Sequence, residues 1–487
     1  MKQHEIADLL LYKARYVLGY TVLALLFVGG LLMAGLYAPG GLVQAEIDAI
    51  AVTNSLSLSD PTSLAQPNIL LHGLQRLSLW LFGVSELSIK LPAMLLSVVS
   101  ALAIFFLLRR WFRPNIAILS LLIMTTTGQL LYVGQQFSPH ILYIVFSALI
   151  LLFASLILQR AAWSQLWKIS LAITAALSLY TPYFWYINLG LLLVALIHPH
   201  TRYFLLSRKQ RLSWLPAGIV FGIIVAPLLY ACIVKPALAS QLLGLSTLDF
   251  SLITNLKILV RTYVWPYPTV FHGQIAPIID ISSLILIILG LAMAITRRQT
   301  ARSYMIGAWL LLAMPLLLMQ PTLTVIITIP LLILLAVGVE TLIREWYKLF
   351  PKNPYARATG LVLMIGLIGV MVLGGIDRYV QGYRHLPEVI SATSTDARTL
   401  RSALAPGQPA HIVASAAELP LYQAMAHQQP GLTASTELPA GYAGPVHVSR
   451  SRLAELDRRQ LGSLQRILVN DRSDAADRFY VYKKAAK

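Results

Sequence analysis

The sequence has few charged residues and almost no cysteine. Only 12% of its 487 residues are Asp, Glu, Lys or Arg, whereas 57% are hydrophobic, and the mean hydropathy is +0.70. A soluble domain is usually about half apolar and about a quarter charged, so this composition indicates a polytopic membrane protein. The single cysteine, Cys232, excludes an intramolecular disulfide and a zinc site built from cysteines.

The sequence also lacks the signals of several protein classes. The carboxyl-terminal tail contains no Gly-rich phosphate loop, Ser/His/Asp signature or metal-ligand spacing. The long hydrophobic runs are nearly free of acids, and the chain shows no internal repeat. Transporters usually carry ionisable residues within their spans and often contain repeats, so a lipid or solute transporter is a weaker alternative. No cleavable signal peptide is predicted, because the first run is long enough to remain as an anchor.

What the sequence does contain is a series of hydrophobic runs close to the length of a membrane span, which is roughly 20 residues. We count eleven, at about 16–37, 90–108, 115–132, 141–158, 169–181, 183–197, 213–232, 277–295, 304–319, 323–343 and 358–376. These runs predict an all-α polytopic membrane bundle. An odd number of spans places the two termini on opposite sides of the membrane.

Basic residues are distributed unevenly between the two sides of this bundle. Nineteen of the 38 Lys and Arg residues lie in the amino-terminal tail and the loops on its side, whereas five lie in the opposite loops. Cytoplasmic loops carry an excess of Lys and Arg, so the amino terminus is predicted to be cytoplasmic and the tail extracytoplasmic. The net charge of +18 is then explained by membrane orientation, and nucleic acid is not expected as a partner.

Two outer loops are long, at 38–89 and 233–276, and loops of that size are usually functional or partly structured. Leucines recur at helical spacing in the first loop: Leu70, Leu74, Leu77 and Leu81. They predict an amphipathic helix lying in the membrane interface, with Trp80 as an anchor.

Cations are rare on this outer face, and an anionic lipid head group is their natural partner. The candidates for binding a lipid-linked phosphate are Lys235, Lys257, Arg261 and Arg76. Bulk anionic lipid would explain them equally well. Tyr267 and His272 lie in an aromatic, proline-rich stretch of the second loop and are candidate substrate contacts, although such residues are often simple membrane anchors.

The composition changes after Asp377, where charges return and short apolar runs alternate with turn-rich pieces. The segments "HIVAS", "PVHVS" and "RFYVYKK" predict strands, "ELPLYQAMAHQ" predicts a helix, and "SRLAELDRRQLGSLQRI" predicts a helix followed by a linker. This alternation predicts a small external α/β domain at 401–487, after a linker at 377–400. The transmembrane domain then comprises residues 1–376.

The stretch "LFGVSELSIKLPAMLLSVVSALAIFFLLRRWF" resembles the membrane-embedded GT-C glycosyltransferases of the protein O-mannosyltransferase and aminoarabinose (lipid A) transferase superfamily. The family pattern is similar to LFG-x-(S/N)-E, three residues, then R-L-P-S-A, and Lys90 stands here in place of the Arg. The late span "PTLTVIITIPLLILLAVGVETL" is also similar to that of the family. The resemblance implies a GT-C-like fold and inverting transfer of a sugar from a polyprenyl-phosphate donor to an extracytoplasmic lipid, glycan or protein.

The resemblance also implies a catalytic acid in the first outer loop. The family carries an Asp-Glu pair there, and its acid is taken as the general base that activates the acceptor. Laid onto this sequence, the pair falls on Ala45 and Glu46, so the aspartate is absent, and Asp48 follows two residues later. We therefore predict Glu46 as the base, with Asp48 as the second choice. The alternative is that both acids only solvate a loop.

Other family positions provide candidate donor or acceptor contacts. A Glu-Lys pair before a proline corresponds to Ala65 and Gln66, and an Arg and Asp after the third span correspond to "GQQFSPH", which contains Gln136 and His140. His72 is a further candidate contact. Together with His140, His272 and Glu46 it could hold a divalent metal, but no spacing supports ligation, so no cofactor is predicted.

Three functions remain open at this point. A glycosyltransferase that uses a polyprenyl-phosphate sugar is favoured. A non-catalytic envelope or assembly protein on the same scaffold would suit the missing aspartate. The third is the transporter.

Overall fold

A computed structural model shows how these segments are arranged. The structure describes residues 15–57, 66–206, 212–246, 248–265, 267, 269–271, 273–297, 300–404, 409–438, 444–456, 461–469 and 477–483. Of the predicted site residues, His272 lies outside these ranges.

Helices make up the amino-terminal three quarters of the chain, and every predicted hydrophobic run is helical. They are α1 (Arg15–Leu36), α2 (Gln44–Ser55), α3 (Ile69–Phe82), α4 (Glu86–Trp111), α5 (Pro114–Thr125), α6 (Gly128–Gln135), α7 (His140–Leu158), α8 (Ser164–Ser178), α9 (Phe184–Ile197), α10 (Pro199–Leu206), α11 (Leu215–Val234), α12 (Pro236–Leu242), α13 (Leu252–Tyr263), α14 (Ile281–Thr296), α15 (Ala301–Met319), α16 (Thr328–Leu349) and α17 (Pro354–His385). A 3₁₀ segment, Pro321–Ile327, leads into α16.

Seven helices within the described ranges are long and apolar enough to cross a membrane, and there are eight if α5 and α6 form one span. Helices α9 and α14 are apolar but shorter, and α8 has 15 residues. The chain is therefore a multi-pass membrane protein. The predicted amphipathic helix is also present as α3, but its Leu71, Gln75 and Ser78 face is buried in the protein, so it is more than an interfacial helix.

The third predicted span is not straight, because α5 and α6 meet at an angle of 67°. Three successive threonines occupy the break, and their hydroxyls donate to backbone carbonyls in the last turn of α5: Thr125 and Thr126 to Leu122 (3.1 and 3.0 Å) and Thr127 to Met124 (2.8 Å). The same carbonyls also accept the N–H groups of Thr126 and Thr127, so the hydroxyls add second hydrogen bonds to the last turn of α5 where the chain changes direction.

Two membrane helices approach each other at backbone distance. A Cβ added at Gly290 of α14 would lie 1.9 Å from the carbonyl oxygen of Leu334, and one added at Gly338 of α16 would lie 2.0 Å from that of Leu286. Only glycine permits this approach, which fixes α14 against α16.

The carboxyl-terminal domain is built on one mixed sheet. The strands of the chain are β1 (Leu42–Val43), β2 (Thr269–Phe271), β3 (Gln274–Ala276), β4 (Thr393–Ser394), β5 (Ala410–Val413), β6 (Leu432–Ser435), β7 (Pro445–Ser449), β8 (Ser463–Val469) and β9 (Asp477–Lys483), and the domain's helices are α18 (Pro387–Ala392), α19 (Asp396–Ala403), α20 (Leu419–Gln428) and α21 (Arg450–Leu453). The five-stranded sheet has the order β6-β5-β7-β9-β8, with β6, β5 and β7 parallel and the other pairs antiparallel. The predicted strands β5, β7 and β9 and the helix α20 are confirmed.

Two expectations for this region differ from the structure. Residues 377–400 are not an open linker, because α17 continues to His385 and is followed by α18, β4 and the start of α19. The helix continues because Tyr379 and Tyr383 are buried, so its polar residues do not end it. In addition, the segment predicted as a helix followed by a linker begins with the short helix α21, but its last residues, 463–467, belong to strand β8, which pairs with β9.

Candidate functional site

A cavity of about 910 Å³ lies where the outer ends of the membrane helices meet the carboxyl-terminal domain. Five parts of the chain build it: the β1–α2 segment, the turn after α6, the β2–β3 hairpin, the 3₁₀ segment before α16, and the carboxyl-terminal domain. Its lining residues are Leu42, Val43, Gln44, Ala45, Ile47, Tyr132, Gln136, Ser138, His140, Phe271, Gly273, Gln274, Pro321, Thr322, Thr324, Ile390, Ser391, Ala392, Thr393, Ser394, Glu418, Tyr422 and Arg478.

One wall of the cavity exists because the first outer loop and the carboxyl-terminal domain share a two-stranded antiparallel ladder. Leu42 pairs with Ser394 and Val43 with Thr393. The backbone of one region thus completes the hydrogen bonds of the other, which sets the distance across this wall.

Side-chain hydrogen bonds fasten helix α20 of the domain to the same loop at both ends. At its start, the Gln44 amide donates to the Ala417 carbonyl at 2.9 Å. At its end, the Gln428 side chain accepts from the Val84 N–H at 2.5 Å and donates to the Leu79 carbonyl at 3.0 Å. Helix α20 is therefore held in a fixed position over α2 and α3.

The β2–β3 hairpin is fitted to the opposite wall. Gly273, at its turn, has φ +78°, and a Cβ there would lie 2.5 Å from the Tyr132 hydroxyl. A side chain would strain the backbone and collide with Tyr132, so this position requires glycine. Tyr132 in turn stacks on Tyr383 of α17, with ring centroids 5.0 Å apart.

Apolar side chains line much of the cavity, and most of the polar side chains between them are uncharged. Amides come from Gln44, Gln136 and Gln274, and hydroxyls come from the Ser and Thr residues. Tyr132, Phe271 and Tyr422 add aromatic rings. Convergent amides, hydroxyls and aromatic faces are the groups that bind a hydroxyl-rich ligand such as a sugar.

Glu46, the predicted base, does not face this cavity. It is 0% exposed, and both carboxylate oxygens accept hydrogen bonds: Oε1 from the Phe137 N–H at 2.7 Å and Oε2 from the Val43 N–H at 3.0 Å. The Lys90 ammonium lies 4.0 Å from Oε2 and donates to Gln135 at 2.7 Å. Through these hydrogen bonds Glu46 connects the start of α2 to the α6–α7 turn.

The electrostatics of Glu46 agree with this position. Burial raises the pKa of its carboxyl, and the Lys90 charge and the two backbone N–H donors oppose the shift. A carboxylate whose oxygens are already bonded and enclosed has no direct path to an acceptor hydroxyl.

The charged groups that do face the cavity come from the carboxyl-terminal domain. Among the described lining residues, Glu418 is the one carboxylate and Arg478 the one Lys or Arg. Arg478 forms two hydrogen bonds with buried Asp396, from Nε to Oδ1 at 2.8 Å and from Nη2 to Oδ2 at 2.6 Å. These bonds raise the pKa of Arg478. The sequence pattern gave no signal for either residue, since the tail carries no catalytic motif.

Two of the predicted contacts, Gln136 and His140, line the cavity. His140 Nδ1 shares a hydrogen bond of 2.9 Å with the Ser138 hydroxyl. Gln66 is not part of the lining, and lies two residues before Asn68, whose N–H donates to the Tyr180 carbonyl.

The other predicted residues of the first outer loop lie away from the cavity lining. Asp48 is exposed and accepts a hydrogen bond from the Gln44 amide at 2.8 Å. The ring of His72 packs edge-on against Phe137 and hydrogen-bonds to Thr53 at 3.0 Å, and burial lowers its pKa to about 4. Arg76 donates to the Leu56 carbonyl. All three are held by contacts with other residues of the protein, His72 also by Phe137 outside the loop.

The predicted residues of the second outer loop are exposed. Lys235 precedes α12, and Lys257 and Arg261 are one turn apart on α13. Helix α13 adjoins the cavity indirectly, because the Tyr263 hydroxyl donates to the carbonyl of Thr324, a lining residue, at 3.1 Å. Tyr267 is 68% exposed beside Trp265. No group of three or more His, Cys, Asp or Glu residues in the described ranges is placed to hold a metal ion.

Comparisons with known proteins bear on the same architecture. Residues 67–230 match the model of the dolichyl-phosphate-mannose-protein mannosyltransferase family. The structure is similar to the crystal structure of ArnT from Cupriavidus metallidurans bound to undecaprenyl phosphate, with a TM-score of 0.56, 14% identity, and coverage of 96% of this chain and 98% of that chain. The chain has the GT-C fold. The resemblance drawn from the sequence is thereby confirmed at the level of the fold.

Further solved structures with the GT-C fold are similar to this chain. ArnT from Cupriavidus metallidurans in the apo state matches with a TM-score of 0.54, 14% identity, and coverage of 96% and 98%. The archaeal oligosaccharyltransferase AglB from Archaeoglobus fulgidus, in complex with an inhibitory peptide and a dolichol-phosphate, matches with a TM-score of 0.49, 12% identity, and coverage of 90% and 69%. No curated protein sequence matches the chain significantly.

Proposed function

We propose that this chain is a membrane glycosyltransferase that moves a sugar from a polyprenyl-phosphate donor to an extracytoplasmic acceptor, with inversion at the anomeric carbon. The observation that carries the proposal is the large polar and aromatic cavity at the end of a GT-C membrane bundle. A donor anchored by its lipid presents its sugar at that depth, and no nucleotide is needed because the leaving group is a lipid phosphate.

The side of the membrane follows from charge. The excess of Lys and Arg on one side, nineteen against five, supports a cytoplasmic amino terminus. The cavity and the carboxyl-terminal domain then face the extracytoplasmic space, where a lipid, glycan or protein acceptor can reach the cavity. The chain therefore acts as a multi-pass protein of a cell membrane.

We propose that cations on the outer side of the membrane bind the donor phosphate. Lys257 and Arg261 are one turn apart on α13 and exposed, and the same helix reaches the cavity lining through the hydrogen bond from Tyr263 to Thr324. An exposed ammonium and guanidinium at the membrane surface attract an anionic head group, and Lys235 lies on the same side of the membrane. Arg478 lines the cavity with a guanidinium that is already paired with Asp396, so it ranks behind the exposed cations as a partner for the donor phosphate.

The test uses the purified full chain in proteoliposomes. Undecaprenyl-phosphate mannose and undecaprenyl-phosphate aminoarabinose are supplied separately, with extracted envelope lipids and proteins as acceptors. We expect one donor to be consumed, with release of undecaprenyl phosphate and a matching mass increase on an acceptor by mass spectrometry. A chain that consumes neither donor above the protein-free control contradicts the proposal.

A second function is favoured by one observation. Glu46, the acid at the position of the family's motif, is fully buried. It accepts hydrogen bonds from Phe137 and Val43 and lies beside Lys90, as expected of a structural residue in a non-catalytic envelope or assembly protein. Mass spectrometry of envelope glycans, lipids and proteins from cells with and without the chain separates the two functions. If the chain is a glycosyltransferase, cells without it lack a defined sugar on an envelope molecule. If it is a scaffold, every sugar mass is the same with and without it.

A further inference from the structure

The one carboxylate among the described residues that line the cavity comes from the far end of the chain. Gln44, in the first turn of α2, donates from its side chain to the Ala417 carbonyl at 2.9 Å, so residue 418 follows directly after a contact with the first outer loop. Glu46 on the same turn is enclosed, whereas Glu418 lines the cavity. A carboxyl-terminal residue thus occupies the rim where a first-loop acid is missing.

Within the described residues, the Glu418 carboxylate is hydrogen-bonded through one of its two oxygens. Its Oε2 accepts a hydrogen bond from the Ser451 hydroxyl at 2.9 Å. Within the described part of the chain, Oε1 has no hydrogen-bond donor. The residue is half-buried and lines the cavity. One fixed and one available oxygen is the arrangement that a positioned proton acceptor requires.

The backbone beneath Glu418 is also fixed. Its N–H donates to the Ser415 carbonyl at 3.1 Å, and α20 begins at the next residue. Because α20 is fastened to the first outer loop through Ala417 and Gln428, the carboxylate has a defined position relative to the membrane helices. A general base needs its location set to within a fraction of an ångström of the productive geometry.

We propose that Glu418 is the general base of the transfer reaction, a role that rests on the proposed function. Glu418 takes the proton of the acceptor hydroxyl. The acceptor oxygen forms a bond to the anomeric carbon as the bond from that carbon to the donor phosphate oxygen breaks, and the electron pair leaves with the polyprenyl phosphate. The carboxylic acid then returns its proton to water.

His140 is the other described lining residue whose side chain can accept a proton, and its Nδ1 shares a hydrogen bond with the Ser138 hydroxyl. Substituting each residue in turn distinguishes the two groups, because loss of the base lowers kcat and leaves donor binding nearly unchanged.

The experiment compares sugar transfer by the full-length wild type, Glu418→Gln, and the matched control Glu437→Gln, an exposed carboxyl of the same domain outside the cavity lining. The substrates are the two undecaprenyl-phosphate sugars above. Gln keeps an oxygen for Ser451, so the fold is retained. We expect Glu418→Gln to lower kcat by about 10²–10⁴-fold with little change in the donor KM, and Glu437→Gln to match the wild type.

The possible results distinguish an error in the assignment of the base from an error in the proposed function. If the wild type transfers sugar and Glu418→Gln transfers equally fast, the base assignment is overturned and the proposed function stands. If His140→Gln, but not Glu418→Gln, abolishes transfer, the base is His140. If the wild type transfers no sugar, the proposed function fails and the base role fails with it.

Discussion

The first outer loop and the carboxyl-terminal domain build the same cavity with different groups. The loop contributes backbone, Gln44 and apolar side chains, and keeps its acid Glu46 enclosed with Lys90. The domain contributes the charged side chains Glu418 and Arg478. The difference shows that an acid at the position of a sequence motif can be enclosed with both oxygens hydrogen-bonded, while an acid outside any motif can line the cavity.

The largest expected effect comes from breaking the buried pair of the first region. Lys90→Met leaves the Glu46 carboxylate buried without its cation, and removing one partner of a buried ion pair typically costs about 3–5 kcal/mol. We expect a lower unfolding temperature in detergent, measured by intrinsic fluorescence. Adding Glu46→Gln to the same chain restores part of the loss. Equal stability of Lys90→Met and wild type would show that the pair is not structural.

A pH change compares the two regions through one buried histidine in each. Burial lowers the pKa of His72 in the first outer loop and of His447 in the domain from 6.5 to about 4. Between those values the unfolded chain binds more protons than the folded one, so stability falls as pH drops from 6.5 towards 4, by up to about 3 kcal/mol for each histidine at the lower limit.

The histidine prediction is checked by thermal unfolding over that pH range. His72→Leu and His447→Leu should each flatten the pH dependence. The exposed His427→Gln should leave the wild-type slope unchanged. Identical slopes in all four proteins would mean that neither buried ring titrates with folding.

Loosening the contact between the two regions has a smaller expected effect. Gln428→Ala removes the acceptor of the Val84 N–H and the donor to the Leu79 carbonyl, at a cost of about 1–3 kcal/mol. Hydrogen–deuterium exchange should rise in α20 and in residues 79–84. The neighbouring change Gln423→Ala, at an exposed position of the same helix, serves as the control. Exchange equal to that of the control would indicate that Gln428 does not fasten the domain.

The smallest effect is expected at the second predicted acid. Asp48 is exposed and bonds only to the Gln44 amide among its described hydrogen-bond partners. Asp48→Ala should change the free energy of unfolding by at most about 0.5 kcal/mol, as most surface substitutions do. A larger loss in the unfolding assay would give Asp48 a structural role beside Glu46.

The membrane part was largely predictable because burial in lipid requires long apolar runs, and all eleven runs are helical. The break between α5 and α6 was not predictable from hydropathy, since a hydropathy average does not report the local hydrogen bonds that the hydroxyls of Thr125, Thr126 and Thr127 add at the end of α5. In the tail, local patterns indicated β5, β7, β9 and α20 but not the strand pairing that makes residues 463–469 extended.

The site was harder to predict than the fold. The role of Glu46 depends on Lys90 and Phe137, which are distant in sequence, and no local pattern reports that both oxygens are bonded. Glu418 reaches the cavity only because Gln44 contacts Ala417, a pair separated by 373 positions. Such contacts come from the tertiary fold, so residue types and spacing could indicate the chemistry of the region but not its charged residues.

The central claim is that the carboxyl-terminal domain docks on the first outer loop and completes the cavity. It is tested most directly by disulfide trapping of Val43→Cys with Thr393→Cys in a Cys232→Ser chain. These residues are opposed in the β1–β4 ladder, at a spacing that a disulfide can bridge. We predict that mild oxidation of intact membranes links the pair in most molecules, detected as the joined peptides by mass spectrometry. Linkage no greater than for Val43→Cys with Tyr355→Cys, at the other end of α17, would contradict the docking and the shared cavity.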